Sequence, residues 1–189
     1  MTDRTASGLD GQPPFPLIAQ VCAHWDSLRR PDRLPTRNAL DPETLADALP
    51  HVFLAELVAP RVARLRICGH KIDALMDMEL RGMPLTSLFT PAARPEVMDA
   101  VQQVAHGARA RLSLQAEPGF GQPHMVAQMA LMPLADADRR ITHVLGVVDR
   151  DGSVGRRPRR FAQAMQASVE AQPRPAGAHH LRVIPGGKP

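Results

Sequence analysis

The stretch LPHVFLAELVAPRVARLRICGHKIDALMDMELRGMPLTSLF, residues 49–89, decides the fold. Residues 51–58 are apolar on both faces, as a central strand covered on both sides would be. Residues 63–69 alternate between apolar and basic, which predicts a half-buried strand of an antiparallel sheet. The residues expected to face inward from this second strand are Ala63, Leu65 and Ile67. From residue 70 onward the apolar spacing becomes helical.

The rest of the chain supplies a helix before this stretch, and a helix and three strands after it. Apolar residues spaced by three and four over residues 17–28 predict an N-terminal helix, and a short helix is expected to end at Pro50. Residues 95–107 predict a longer helix. Three strands follow, at residues 109–117, 125–134 and 141–149. Strands and helices segregated in this way indicate an α+β fold, a five-stranded antiparallel sheet with helices on one face and an N-terminal helical extension.

Composition and charge divide the chain into a globular part and a basic end. Apolar residues make up 44 % of the 189 residues but aromatic residues only 3 %, so the core is expected to be aliphatic and rich in Met. From Arg150 onward there are eight basic residues against two acidic ones, whereas the first 149 residues hold fifteen against seventeen. The high isoelectric point therefore reflects the tail, and no nucleic-acid-binding face is predicted.

The cysteine pattern and the N-terminus predict a cytoplasmic protein. Cys22 and Cys68 are far apart and lack the spacing of a metal site or a disulfide framework. The polar residues 1–15 are expected to form a disordered leader, and they lack the apolar run of a signal peptide. The longest apolar stretch, residues 52–59, is too short to span a bilayer.

Several short motifs, taken in order, resemble those of one family. They are WDSLR (25–29), LPTR (34–37), LDP (40–42), LPHV (49–52), RLRICG (64–69), LRGMPL (80–85) and LG (145–146). In this series the chain resembles the small stand-alone bacterial PAS-domain proteins, which consist of an N-terminal helix, a linker and a single PAS domain. The likeness covers residues 16–150. It implies a cavity between sheet and helices and a role in signalling by ligand binding or protein contact, without catalysis.

Two kinds of site are expected on this basis. The candidate ligand pocket is lined by Leu65, Ile67, His70, Ile72, Leu75, Met76, Met83, Leu88, Val97 and Val101. His70, beside Lys71, is placed to meet an anionic ligand or to respond to pH, although a surface His at a strand end is the simpler interpretation. The candidate dimer contact is the apolar stripe of the N-terminal helix, namely Leu17, Val21, Trp25 and Leu28.

No cofactor is identified from the sequence. His106 falls at the end of the longer helix, where the resemblance places a haem ligand, but a histidine there more often binds the helix carbonyls or faces solvent. Cys68 lies on a strand rather than on the pocket helices, which argues against a photoactive flavin. The pair His179-His180 offers at most a weak metal site, and motifs of hydrolases, zinc proteases and phosphate loops are absent.

The C-terminal region is interpreted as a basic tail over residues 151–189. Its arginines suit an anionic partner, since guanidinium groups bind phosphate and carboxylate in bidentate fashion, but a solvated charge run is the simpler interpretation. The candidate anion contacts are Arg156, Arg157, Arg159 and Arg160. The spacing of Phe161, Met165, Ser168 and Val169 predicts a short amphipathic helix.

The sequence therefore predicts four segments: a leader (1–15), a helical extension (16–50), a PAS-like domain (51–150) and a basic tail (151–189). Since no effector domain is recognised, the expected function is cytoplasmic signalling through contact with a protein partner, and a homodimer and modulation by a small molecule are left open. A small-molecule-binding protein with an apolar, Met-rich pocket is the second reading. An enzyme is only a remote alternative.

Overall fold

The computed structural model describes residues 15–170, and in this range it contains three α-helices and six strands. The helices are α1 (Pro16–Leu28), α2 (His70–Met76) and α3 (Arg94–Ala105). The strands are β1 (Val52–Ala59), β2 (Val62–Cys68), β3 (Arg109–Ala116), β4 (Val126–Ala135), β5 (Ile141–Asp151) and β6 (Phe161–Glu170). Short 3-10 turns at Leu49–His51, Leu85–Leu88 and Pro91–Ala93 connect them.

The strands form one sheet in the order β2-β1-β5-β4-β3-β6, and all neighbours are antiparallel. Helices α2 and α3 pack on one face, which we call the inner face. This confirms the predicted α+β architecture, with six strands instead of five. The additional strand is β6, which lies in the segment interpreted from the sequence as a basic tail.

Strand β6 corrects the prediction of an amphipathic helix in the basic tail. It pairs with β3 from Arg109↔Glu170 to Ala116↔Phe161. The spacing of Phe161, Met165, Ser168 and Val169 is compatible with a helix, but the exposed edge of β3 offers backbone hydrogen-bond partners that local spacing does not reveal. The domain therefore extends at least to Glu170, beyond the predicted boundary at residue 150.

Helix α1 covers the opposite, outer face of the sheet, against β4 and β5. Val21 and Trp25 are fully buried there, and Trp25 Nε1 donates to the Pro133 carbonyl at 3.0 Å. The backbone amide of Leu17 donates to Asp149 Oδ2, also at 3.0 Å, which ties the first turn of the helix to β5. This corrects the predicted dimer contact, because Val21 and Trp25 face the chain's own sheet; Leu17 and Leu28 are half-buried beside them.

Local chemistry explains where α2 begins and α3 ends, and why one predicted helix is missing. Gly69 precedes α2, and a Cβ at this position would lie 2.3 Å from the Pro50 carbonyl oxygen. Gly107 ends α3 with a φ of +95°, which glycine adopts without strain. Asp41 accepts hydrogen bonds from the amides of Glu43 and Thr44, but only turns follow it, so the short helix predicted before Pro50 does not form.

If β6 belongs to the folded domain, replacing Phe161 with Ala should destabilise the whole protein. Phe161 has no exposed surface, and its ring centroid lies 5.8 Å from that of Phe89. We expect Phe161→Ala to lower the free energy of unfolding by about 3–5 kcal/mol, as measured by urea denaturation. The matched control is Gln163→Ala, at an exposed position of the same strand, with an expected change within about 0.5 kcal/mol. Equal urea midpoints for Phe161→Ala and Gln163→Ala would show that β6 does not pack against the rest of the domain in solution.

Candidate functional site

The inner face holds the cluster that the sequence predicted as a ligand pocket. Seven of the ten predicted residues meet there, contributed by β2, α2, α3 and the turn at Leu85–Leu88. They are Leu65, Ile72, Leu75, Met76, Leu88, Val97 and Val101. The elements around them also bury Phe53, Leu80, Phe89 and Phe161 in the same cluster.

This inner cluster is packed by the chain's own side chains. Leu65, Leu88 and Val97 each have 0 % exposed surface. A void large enough to hold a ligand would leave accessible surface on the side chains that line it. The side chains of the cluster therefore fill the space between sheet and helices, and in this conformation they act as a hydrophobic core.

Ile67 does not belong to the cluster, because a β-bulge reverses its direction. The register with β1 shifts between Leu54↔Ile67 and Ala55↔Leu65, so Arg66 has no partner of its own and the alternation slips by one residue. Ile67 consequently lies on the outer face and is 53 % exposed. Cys68 packs against the inner cluster instead, and its burial raises the pKa of the thiol well above the usual range.

His70 and Met83 are also exposed, which corrects their assignment to the pocket. His70 is the first residue of α2, and the inward face of that helix is formed by Ile72, Leu75 and Met76. Met83 lies beside the edge strand β2, where its carbonyl accepts the amide of Leu65 at 2.9 Å. Its backbone rather than its side chain therefore makes the contact with the sheet.

The segment that connects β5 to β6, residues 152–160, crosses the inner side of the domain, and we call it the strap. Its buried residue is Arg159, which is 1 % exposed. The Arg159 amide donates to the Leu75 carbonyl of α2 at 2.6 Å. Its guanidinium donates to the carbonyls of Glu117 and Pro123 in the β3–β4 loop. The distance from Arg159 Nη2 to the Pro123 oxygen is 2.6 Å. The strap thus joins α2 to that loop through one residue.

The predicted anion-binding arginines are separated by this arrangement. Arg159 is buried and already bonded to carbonyl groups, which corrects its assignment as an anion contact. Arg157 lies 3.6 Å from Asp77 in an exposed ion pair, and Arg156 is exposed. Arg160 is half-buried, so the four residues do not present one continuous basic surface.

The remaining histidine hypotheses find little geometric support within residues 15–170. His106 Nδ1 lies 2.7 Å from the Gln102 carbonyl oxygen at the exposed end of α3, as expected of a histidine at a helix terminus. In this part of the chain no three His, Cys, Asp or Glu residues are grouped so that they could hold a metal ion. The pair His179-His180 lies outside the described residues.

The outer face of β1 and β2 carries a surface that the sequence reasoning missed, because it depends on the bulge at Arg66. Ile67 lies on this face with Arg64 and the ion pair of Arg66 with Glu56, whose Nε–Oε2 distance is 2.7 Å. The Arg66 guanidinium lowers the pKa of Glu56. His143 of β5 pairs with Glu56 across the sheet, and burial lowers the pKa of its ring. We call this set the Ile67 surface.

The fold and its packed inner cluster define an α+β domain, an antiparallel sheet with α2 and α3 on its inner face and α1 on its outer face. The PAS domain family model matches residues 16–149, so the chain belongs to the PAS domain family. PAS domains serve in sensing and signalling, and they bind ligands in some members and proteins in others. A search among curated proteins gave no match.

Two solved structures are similar to this chain. One is a light-oxygen-voltage domain studied with a flavin analogue, at 16 % identity and a TM-score of 0.46, covering 59 % of this chain and 84 % of that one. The other is an RNA-binding light-oxygen-voltage receptor, at 14 % identity and a TM-score of 0.39, covering 77 % of this chain and 36 % of that one. Among the helices of residues 15–170, none has the length and apolar character needed to cross a membrane.

Because the guanidinium of Arg159 is buried, two substitutions at this position should differ in their effect on stability. Arg159→Lys keeps a buried charge but cannot span both carbonyls, so we expect a loss of about 2–4 kcal/mol in the free energy of unfolding. Arg159→Met keeps a similar side-chain volume without the charge. Its loss of unfolding free energy should therefore be smaller than that of Arg159→Lys. Urea denaturation of the two variants measures the difference. A methionine variant less stable than the lysine variant would contradict this account of the strap.

Proposed function

We propose that this protein is a cytoplasmic signalling PAS domain whose output is contact with another protein at the Ile67 surface. The observation that carries the proposal is the packing of the inner cluster. Side chains that would line a ligand cavity contact one another instead, which leaves the surface as the place where a signal is passed on. Catalysis is not part of this proposal.

The Ile67 surface has the composition of a protein-binding site. An exposed aliphatic side chain lies at its centre, with the charged groups of Arg64, Arg66 and Glu56 around it. Protein interfaces commonly combine an apolar centre with a polar rim, and a few central residues supply most of the binding energy. The edge of β2 is less suited to strand addition, because the amide of Leu65 already bonds to Met83 and its carbonyl to Gly82.

A second copy of the chain is the partner that this surface suits best. Arg64 and Glu56 are neighbours across β1 and β2, and the interface that we propose is self-complementary, with Arg64 of one copy facing Glu56 of the other. A homodimer formed in this way uses the sheet face, and it leaves Val21 and Trp25 of α1 within their own protomer.

Replacing Ile67 with Arg should abolish this contact, since it places a charge at the apolar centre. We expect the purified full-length chain to be a dimer by light scattering and the Ile67→Arg variant to be at least about tenfold weaker in self-association. Phe120→Arg is the control, because Phe120 is a fully exposed apolar residue on the distant β3–β4 loop. A monomeric wild-type chain, or a dimer that survives Ile67→Arg, would contradict a dimer at this surface.

The packed inner cluster gives a separate expectation for native mass spectrometry. The purified chain should carry no stoichiometric bound compound, and its visible spectrum should show no cofactor band. A bound mass would contradict the proposal and favour the alternative, a small-molecule-binding protein. In that case Met76, Met125 and Met129 would be the side chains able to move aside, because unbranched methionine adapts to irregular cavities.

A further inference from the structure

A concave site lies on the outer face, between α1 and the strands β3, β4 and β6. Its volume is about 230 Å³. The polar side chains that line this α1 groove are Cys22, Asp26, Arg109, Arg111, Ser168 and Glu170. The whole sheet separates it from the inner cluster, so the two sites are independent.

Both carboxylates of the α1 groove, Asp26 and Glu170, are bound by one arginine, Arg109. Arg109 Nη1 donates to both oxygens of Asp26 at 2.8 Å, and its Nη2 donates to Glu170. The Arg109 guanidinium also lies 5.4 Å from the centre of the Trp25 ring, where cation–π attraction helps to hold it. These contacts fix Arg109 to α1 and β6.

Arg111 is the guanidinium of the groove that makes no ion pair with a carboxylate among the described residues. It is half-buried, and within residues 15–170 no carboxylate lies within ion-pair distance of it. Its Nη2 lies 3.8 Å from the sulfur of Cys22. Burial raises the pKa of the Cys22 thiol, although Arg111 acts in the opposite direction, so the sulfur is neutral at pH 7 and does not balance the charge.

We propose that the α1 groove binds the oxyanion group of a small molecule, a carboxylate or a phosphate, through Arg111 with the Ser168 hydroxyl as a second donor. A guanidinium presents paired N–H groups that match two oxygens of either anion. The groove is smaller than the usual pocket for a drug-sized ligand, which suits a compound of few heavy atoms.

Binding at this position would add a contact between helix α1 and the paired strands β3 and β6. Arg111 belongs to β3, Ser168 to β6 and the neighbouring Cys22 to α1. An anion held there stabilises the docked position of α1, because a ligand that binds only the docked state shifts the equilibrium towards it.

The test is an NMR titration of the full-length, ¹⁵N-labelled chain with inorganic phosphate, against chloride at matched ionic strength. We expect saturable shifts of the Arg111 Nε–H and the Ser168 amide, with a midpoint in the range of about 1–10 mM for so small a probe. A parallel titration with acetate distinguishes the two oxyanions, since saturation by one alone identifies the preferred geometry. Unsaturable shifts spread over many surface residues, or none, would overturn the proposal.

Variants locate the site. Arg111→Gln should weaken phosphate binding by at least about tenfold, as the loss of a charged hydrogen-bond donor does. The control Arg81→Gln removes an exposed arginine from the turn beside β2, the edge strand on the opposite side of the sheet, and should leave the midpoint of the phosphate titration unchanged. Ser168→Asp keeps Arg111 and adds a negative charge at an exposed position, so it tests the site even if Arg111→Gln fails to fold. Unchanged binding in Ser168→Asp, or equal weakening in Arg81→Gln, would place the anion elsewhere.

Discussion

The contact between α1 and the outer face of the sheet is the constraint on which the rest of the structure depends. Residues 144–149 of β5 are all buried, because α1 covers this strand on one face and the inner helices cover it on the other. The indole of Trp25 combines burial of a large ring with a hydrogen bond to the Pro133 carbonyl, so that the buried N–H of the ring is satisfied. Without α1, the apolar residues of β4 and β5 on that face would contact water.

The position of α1 also places the two outer-face sites on opposite sides of the helix. In the strand order, the Ile67 surface belongs to β1 and β2, and the α1 groove belongs to β3, β4 and β6. Helix α1 lies over β4 and β5 between them.

Much of the fold could be predicted from local patterns. Strict alternation over β3 and helical spacing over α1 and α3 are properties of the segments themselves, and glycine or proline marks their ends. Seven of the residues predicted to line a pocket lie together in the inner cluster, where they pack as a core, because the inward faces of neighbouring elements must meet. Ile67 was misplaced, since one unpaired residue in a strand reverses every side chain beyond it and leaves no local trace. Strand β6 was missed because its partner, β3, lies about fifty residues earlier in the chain.

The sequence by itself determined the class of fold, the family and the aliphatic character of the core. Periodicity and composition are enough to fix these, because each element must bury its own apolar face. Only the tertiary structure decided that Trp25 is a core residue, that Arg159 fastens the strap to the β3–β4 loop, and that Arg111 lacks a carboxylate among residues 15–170. These are facts about distances between side chains far apart in sequence. Whether a charge is paired, or an apolar side chain is covered, depends on which neighbour the fold brings to it.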